Sequence, residues 1–205
     1  MFDPPRITGS IYQGGYITEK QGARLKEIGI THILNLDLPY HSTRVDMSGL
    51  GFQVIEILVN DMSPMTGELA RKVDAAIQRA VDLEGGELYV HCNAGLSRSP
   101  TAVWLYLVAK GWDNSEATRV IAAAASNLHA PDPLLIGSLD LQGLKRWLQS
   151  PRWEIWVEIG GNRTLASIFE TEGAARSELA LLECHRSQHG LAVNFTLAHV
   201  GGKSA

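Results

Sequence analysis

Residues Val90 to Pro100 read V-H-C-N-A-G-L-S-R-S-P, and the rest of the chain is best read outward from them. They follow a short apolar run, Glu87 to Val90, with the character of a strand, and they open a helix-like pattern from Thr101 to Lys110. A strand ending in cysteine, then five residues, then an arginine at the head of a helix makes an anion cradle with a nucleophile at its floor. The N–H groups from Asn93 to Arg98 can curl round one point, where the helix N-terminus adds partial positive charge. The same field favours a thiolate at Cys92, because cysteines at helix N-termini beside a guanidinium ionise below the ordinary value of about 8.5.

Each position in the cradle has a task. Asn93, Ala94, Gly95, Leu96, Ser97 and Arg98 supply the N–H groups that would bind phosphate, and Gly95 takes a positive φ without strain so that those groups can turn inward. Arg98 offers a planar fork that pairs two phosphate oxygens at once. Ser99 is placed to hydrogen-bond the sulfur and help it leave as thiolate. His91 falls on the opposite face of its strand and reads as a buried orienting group rather than an acid. The alternative is a buried core cysteine followed by a helix that begins with arginine. That reading gives no reason for Cys, Gly, Arg and Ser at these offsets together.

The stretch HCNAGLSRSP resembles the Cys-x5-Arg superfamily of cysteine-dependent phosphatases, and among them the dual-specificity phosphatases most closely. The resemblance spans about Ile7 to Leu148. It implies hydrolysis of phosphate monoesters through a phosphocysteine, without metal or other cofactor, with Cys92 as nucleophile, Arg98 as phosphate clamp and Ser99 as thiolate partner. It also implies a central, mostly parallel sheet flanked by helices.

A general acid is sought on the same sheet edge. Gln53 to Val59 reads as a strand, and Asn60-Asp61-Met62-Ser63-Pro64 as the loop that follows it, ahead of a helix from Thr66 to Leu83. A carboxyl at the C-terminal end of a parallel strand lies where ligands bind in open α/β sheets. Asp61 precedes Cys92 by 92 − 61 = 31 positions, room for one helix and one strand, and the resembling family carries its acid in this loop. The competing reading is a carboxylate serving the helix start. Asp37 ends the preceding strand and could reach the same edge. Asp132-Pro133 is similar to a downstream Asp-Pro of the low-molecular-weight phosphatases, but it lies only 132 − 92 = 40 positions past the cysteine and reads as a turn residue between helices.

The chain in order begins with Ile7 to Gly14, an edge strand ending in Gly14-Gly15, then an amphipathic helix from Glu19 to Ile28 and a buried strand from Thr31 to Leu36. Asn35 resembles a residue that holds loop backbone in the same family; a polar strand end is the other account. Leu38 to Leu50 reads as a loop. Beyond the cradle, Asn114 or Ser115 caps a helix through Ala125, and Ala130 to Pro133 turns into a last helix, Leu134 to Leu148. Here the chain departs from the family pattern, with Ser126-Asn127-Leu128 and Pro131-Asp132-Pro133-Leu134 where an Arg and a Pro-Asn-x-Gly-Phe are usual.

The tail is a different object. Trp153 to Ile159 alternates with period two, Gly160-Gly161-Asn162 is a hairpin signal, and Arg163 to Phe169 returns. A helix from Glu172 to Gln188 and a strand from Leu191 to Val200 complete a ββαβ unit. The division is therefore a phosphatase domain over 1–150 and an accessory ββαβ (α+β) module over 151–205, open to partner docking, self-association or a lid. About fifty residues bury a core only by docking on something. His185 and His189, at i and i+4 beside Cys184 and with His199 downstream, could ligate zinc, or simply form an exposed helix face.

Composition bounds the rest. The 205 residues carry 45% apolar and 20% charged side chains and a net charge of −4, which suit an ordinary globular protein and give no basic surface for nucleic acid. The start, MFDPPRITGS, lacks a basic, then apolar, leader, and no run reaches the ~18 apolar residues of a membrane span. Two cysteines suit a reducing compartment. The expectation is a cytoplasmic enzyme acting on a phosphorylated protein or small phosphate ester, with no nucleic-acid or membrane partner. A phosphate-binding protein without turnover, a rhodanese-like sulfur transferase and a phosphatase of a non-protein substrate such as a phosphoinositide are the alternatives; the lack of a basic cluster about the loop disfavours a highly phosphorylated inositol.

Overall fold

Two short strands, β1 (Arg6–Thr8) and β2 (Ile11–Gly14), pair antiparallel, so the opening stretch is a hairpin rather than one edge strand. Helix α1 (Glu19–Glu27) starts in a capping box between Thr18 and Gln21, and β3 (His32–Asn35) and β4 (Gln53–Glu56) follow. Helix α2 (Gly67–Gln78) widens into a π-type turn at Arg79–Leu83 before β5 (Leu88–His91). Four helices come next: α3 (Arg98–Ala109), α4 (Asn114–Ala124), α5 (Pro133–Ile136) and α6 (Leu141–Gln149). The tail adds β6 (Arg152–Ile159), β7 (Asn162–Phe169), α7 (Glu172–His189) and β8 (Asn194–Val200). This computed structural model describes residues 2–37, 45–125, 127–128 and 130–201; most of the loop read between Leu38 and Leu50 lies outside them.

The sheet runs β1-β2-β5-β3-β4-β7-β6-β8. Its middle, from β2 through β5, β3 and β4 to β7, is parallel, and its ends are antiparallel. The chain is thus an α/β fold. Strand alternation sends Leu34, Ile55 and Val90 to one face, where α2 and the wholly buried α3 cover them, and Ile33, Val54 and Tyr89 to the other, with Leu25 of α1. Parallel strands covered on both faces read as continuous apolar runs, which is why β3 and β5 were visible as strands without alternation.

Three of the boundaries that differ from the sequence reading do so for a clear local reason. Asp113, one residue earlier than expected, caps α4 by accepting the Ser115 N–H at 2.8 Å. The last helix is two pieces, because Gly137 takes a φ of +43° and Asp140 caps a fresh start through the Gly143 N–H. β4 stops at Glu56, and the chain runs on as an extended segment whose Ile57 and Val59 N–H groups still bond Asn35 and Leu36 carbonyls.

The tail joins the same sheet. β7 pairs with β4 through Val54↔Asn162 and Ile55↔Arg163, and the Thr164 hydroxyl donates to the Glu56 carbonyl at 2.6 Å. A buried polar network fastens the seam. Glu154 on β6 is fully buried; it accepts from Arg152 Nε at 2.8 Å, Arg79 Nη2 at 3.2 Å and Trp156 Nε1 at 3.0 Å. Arg152 in turn donates to Gln78 Oε1 at 2.6 Å and the Leu148 carbonyl at 3.2 Å. A second knot gathers on Glu84, held by His32 of β3 at 2.9 Å and Arg163 of β7 at 3.2 Å. The His32 bond, ahead of the Arg163 contacts, brings the Glu84 carboxyl down to about 2. Buried charges are tolerable only when so answered. Truncation after Gln149 strips all these partners from Gln78, Arg79 and the β4 edge. We expect the truncated chain to lose its soluble yield and its cooperative thermal transition by circular dichroism, and a soluble, active truncation would show that the tail is not integral.

Asp74 on α2 is the exception, since it is fully buried and neither carboxyl oxygen has a hydrogen-bond partner. Burial pushes its pKa well up against the opposing pull of Arg152. The folded state therefore holds a proton that the unfolded chain releases above about pH 4, so stability falls as pH rises from there towards the raised folded value, by up to about 1.4 kcal/mol per pH unit. Asp74→Asn should flatten this slope, read as denaturant midpoints between pH 5 and 8.

Candidate active site

β5 delivers Cys92 at its C-terminal end and α3 begins at Arg98, so the intervening residues must turn within five positions. Gly95 makes that turn at φ +75°, and a Cβ there would lie 2.3 Å from Gly15 N. The loop is braced from outside by the end of β2. Tyr16 N–H bonds the Asn93 carbonyl at 2.8 Å, a Cβ on Gly15 would meet that same oxygen at 2.8 Å, and the Tyr89 hydroxyl donates to the Gly15 carbonyl at 2.8 Å. Burial first, and the charge of Cys92 second, push the Tyr89 phenol up, which keeps it a donor. Among the described residues, no N–H group from Asn93 to Arg98 donates to a backbone carbonyl. Such a row of uncommitted donors at a helix start is what an anion needs.

Cys92 is buried at the floor, 2% exposed, with its Sγ 3.5 Å from Ser99 Oγ. Ser99 also lies 3.0 Å from Gln13 Oε1 and 3.0 Å from the Gly14 carbonyl, so its one proton has three acceptors in reach. His91 is buried, and its Nδ1 is 3.4 Å from the Cys92 carbonyl oxygen. Asn35 holds backbone: its Oδ1 accepts the Asp37 N–H at 3.0 Å, fixing the chain where it leaves β3.

Arg98 is buried, and its guanidinium is answered on two sides. Nη1 donates to Asp37 Oδ1 at 2.8 Å and to the Val59 carbonyl at 3.3 Å. Nε lies 2.6 Å from Asp61 Oδ1, an ion pair that is off the line of the N–H bond. The structure thus brings Cys92, Arg98, Ser99 and Asp61 together and adds Asp37. The two carboxylates differ in exposure: Asp37 is 8% exposed at the side chain and Asp61 53%. Asp37 is walled in as an orienting partner, whereas Asp61 stands at the rim.

Asp132 does more than turn the chain. It caps α5 by accepting the Leu134 N–H at 2.9 Å, its other oxygen accepts the Ser97 hydroxyl, and its own N–H bonds Thr101 Oγ1 at 2.9 Å. It ties the cradle to α3 and α5. Sequence reasoning missed Gln13, Gly14, Gly15 and Tyr16 as cradle supports. The Gly14-Gly15 pair was the available signal, since adjacent glycines permit close backbone approach. The tail histidines do not converge with acids or cysteine: His185 and His189 rings lie 4.4 Å apart and His199 stacks on Trp153, and no group of three metal-ligating side chains exists among the described residues.

The family model for the dual specificity phosphatase catalytic domain matches residues 11–137. The chain belongs to that family. Dual specificity protein phosphatase 26 of Rattus norvegicus is 34% identical over 101 residues, which are 48% of this chain and 47% of that protein. The amyloplastic phosphoglucan phosphatase DSP4 of Castanea sativa is 26% identical over 168 residues, covering 74% of this chain and 43% of that protein. The matches thus span about half the length, or less, of these curated relatives. The fold is similar to a crystal structure of PTPMT1 in complex with PI(5)P, with a TM-score of 0.59 at 22% identity over 70% of this chain and 94% of that one. No described helix is long and apolar enough to cross a membrane.

Asp37 generates a prediction for this site. Without its carboxylate the Arg98 fork loses its strongest orienting bond. Asp37→Ala should raise KM for an aryl phosphate and weaken vanadate inhibition by about tenfold, the scale of one hydrogen bond to a charged group. Asp37→Asn, which keeps an acceptor for Nη1, should recover most of the loss.

Proposed function

We propose that the chain is a metal-independent phosphatase that hydrolyses phosphate monoesters, on protein tyrosine or serine/threonine residues, through a phosphocysteine. The observation that supports this most directly is the single cluster of Cys92, the uncommitted N–H groups of the loop, and Arg98 with its fork held between Asp37 and Asp61. Phosphate would seat in the loop, taking the N–H groups and the Arg98 donors. Asp61 rests on Nε, one of those donors, so an entering phosphate displaces it outward towards the ester oxygen.

The Cys92 thiolate attacks phosphorus opposite the leaving group; the S–P bond forms as the P–O bond breaks. The loop and Arg98 stabilise charge on the equatorial oxygens, and protonated Asp61 gives its proton to the leaving oxygen. In the second step a water attacks phosphorus, Asp61 takes the water's proton, and the S–P electron pair returns to sulfur, assisted by Ser99. Asn93, Ala94, Gly95, Leu96 and Ser97 serve through their backbone. No cofactor enters this scheme. Because it depends on a thiolate, a reducing compartment such as the cytoplasm suits it. The division at residue 150 marks, in this reading, the end of the catalytic unit and the start of the strands that complete its sheet.

The test is hydrolysis of a small aryl phosphate in chelator from pH 5 to 8. Wild type should be active, with kcat/KM bell-shaped on the acid side of neutral. Cys92→Ser should abolish turnover, and Asp61→Asn should lower it by about 10²-fold or more and remove the limb set by the acid. An inert wild type that still binds vanadate would replace the enzyme reading with a phosphate-binding one.

A further inference from the structure

Eight large apolar side chains are exposed among the described residues, and four of them, Leu58, Met62, Leu96 and Leu134, belong to segments that meet the cradle. Leu96 lies in the loop itself. Leu58 precedes Val59, whose carbonyl accepts from Arg98. Met62 follows Asp61 and is 82% exposed. The Leu134 N–H bonds Asp132, which holds Ser97. The Asp61 loop and α5 are fastened to each other by the Met65 N–H to Leu135 carbonyl bond of 2.9 Å. Scattered exposed leucines are ordinary, but an apolar arc from three segments about one polar site marks a contact surface.

A second surface borders the loop, part apolar and part polar. A groove of about 220 Å³ runs along Ala94 to Leu96, walled by Phe2, Pro5, Tyr16, Tyr89 and Leu128. Its one charged residue among the described lining is Asp3. The charges that meet the cradle residues are equally one-sided. Apart from Arg98 itself they are, among the described residues, the carboxylates of Asp37, Asp61 and Asp132. Arg98 and the loop N–H groups can answer the phosphate, but among the described residues a second anion beside it would face acids only.

We propose, resting on the phosphatase reading, that the mouth selects a phosphorylated protein segment with apolar residues beside the phosphoresidue, and rejects acidic neighbours. An anionic bilayer is the less suitable carrier, because surfaces that dock on one present lysine and arginine, whereas this rim presents carboxylates and the chain carries a net charge of −4.

The experiment compares three phosphotyrosine peptides of equal length, flanked on both sides by leucine, lysine or glutamate, with an aryl phosphate and with phosphatidylcholine vesicles carrying phosphatidic acid. In the full chain, the leucine peptide should exceed the glutamate peptide in kcat/KM by about tenfold or more, the worth of burying part of one or two aliphatic side chains. Met62→Ser and Leu134→Ser, each scaled to its own rate on aryl phosphate, should close most of that gap through KM. Affinities of the same peptides for Cys92→Ser should follow the same order, so the proposal is tested even if turnover fails. Loss of aryl phosphate turnover in wild type would sink the phosphatase reading alone. Equal peptides, a preference for glutamate, or variants that leave the order intact would overturn the specificity, and faster turnover of phosphatidic acid would assign the arc to a lipid surface.

Discussion

A guanidinium taken out of water must be answered, and most of this structure's active edge can be derived from how Arg98 is answered. Its position at the first turn of a wholly buried helix leaves it only 5% exposed. Carboxylates arrive from the ends of β3 and β4, Asp37 and Asp61, because parallel strands put all their C-terminal ends on one side. The same geometry fixes their unequal surroundings. Asp37 is pinned by Asn35 through its backbone and shut in, while Asp61 sits on a loop and is half exposed. One arginine therefore sorts two chemically identical side chains into a fixed partner and an exchangeable one.

The cradle has a second dependence, on space. Gly95 and Gly15 approach so closely that neither tolerates a Cβ, and the gap between them is set by β2 pairing with β5 in register. The first strands of the chain thus act on the loop after Cys92 without contributing a reactive atom. Gln13 and Gly14 extend this reach to Ser99, and so to the sulfur.

Much of this was legible beforehand, for identifiable reasons. The cradle is local in sequence, so offsets between Cys92, Gly95, Arg98 and Ser99 carry its geometry directly. Asp61 was placed on the cradle's edge by a strand-loop-helix pattern and by its match to the resembling family's acid loop, and it lies 2.6 Å from Arg98 Nε. Asp37 could reach the same edge but has no precedent as acid in the resembling family, and nothing in a linear chain says which of two strand-end carboxylates an arginine will meet. Asp132 read as a turn residue, and it is one, but its second oxygen reaches Ser97 only because α5 folds back on α3. The tail's ββαβ elements followed from alternation and a Gly-Gly turn, yet its place in the sheet did not. The apolar run Ile57 to Val59 beyond β4 looks like the strand's own finish, and the pairing that completes the edge joins Val54 to Asn162 and Ile55 to Arg163, 162 − 54 = 108 positions away. Burial of Glu154 was equally hidden, because a glutamate in an alternating strand reads as the solvent face.

That long-range pairing bears on how the molecule is made. As the chain emerges from the ribosome, the phosphate loop and its helices are complete well before β7 exists, and β4 waits with an unpaired edge beside uncompensated arginine and glutamine side chains. Loop closure over so many residues is slow relative to local helix formation. During that interval the nascent protein presents an open edge of the kind that chaperones capture and that neighbouring chains can pair with. The catalytic half of the sequence is thus synthesised early and becomes structurally closed late, so a chaperone that shelters strand edges would be expected to govern its yield more than any event near the cysteine.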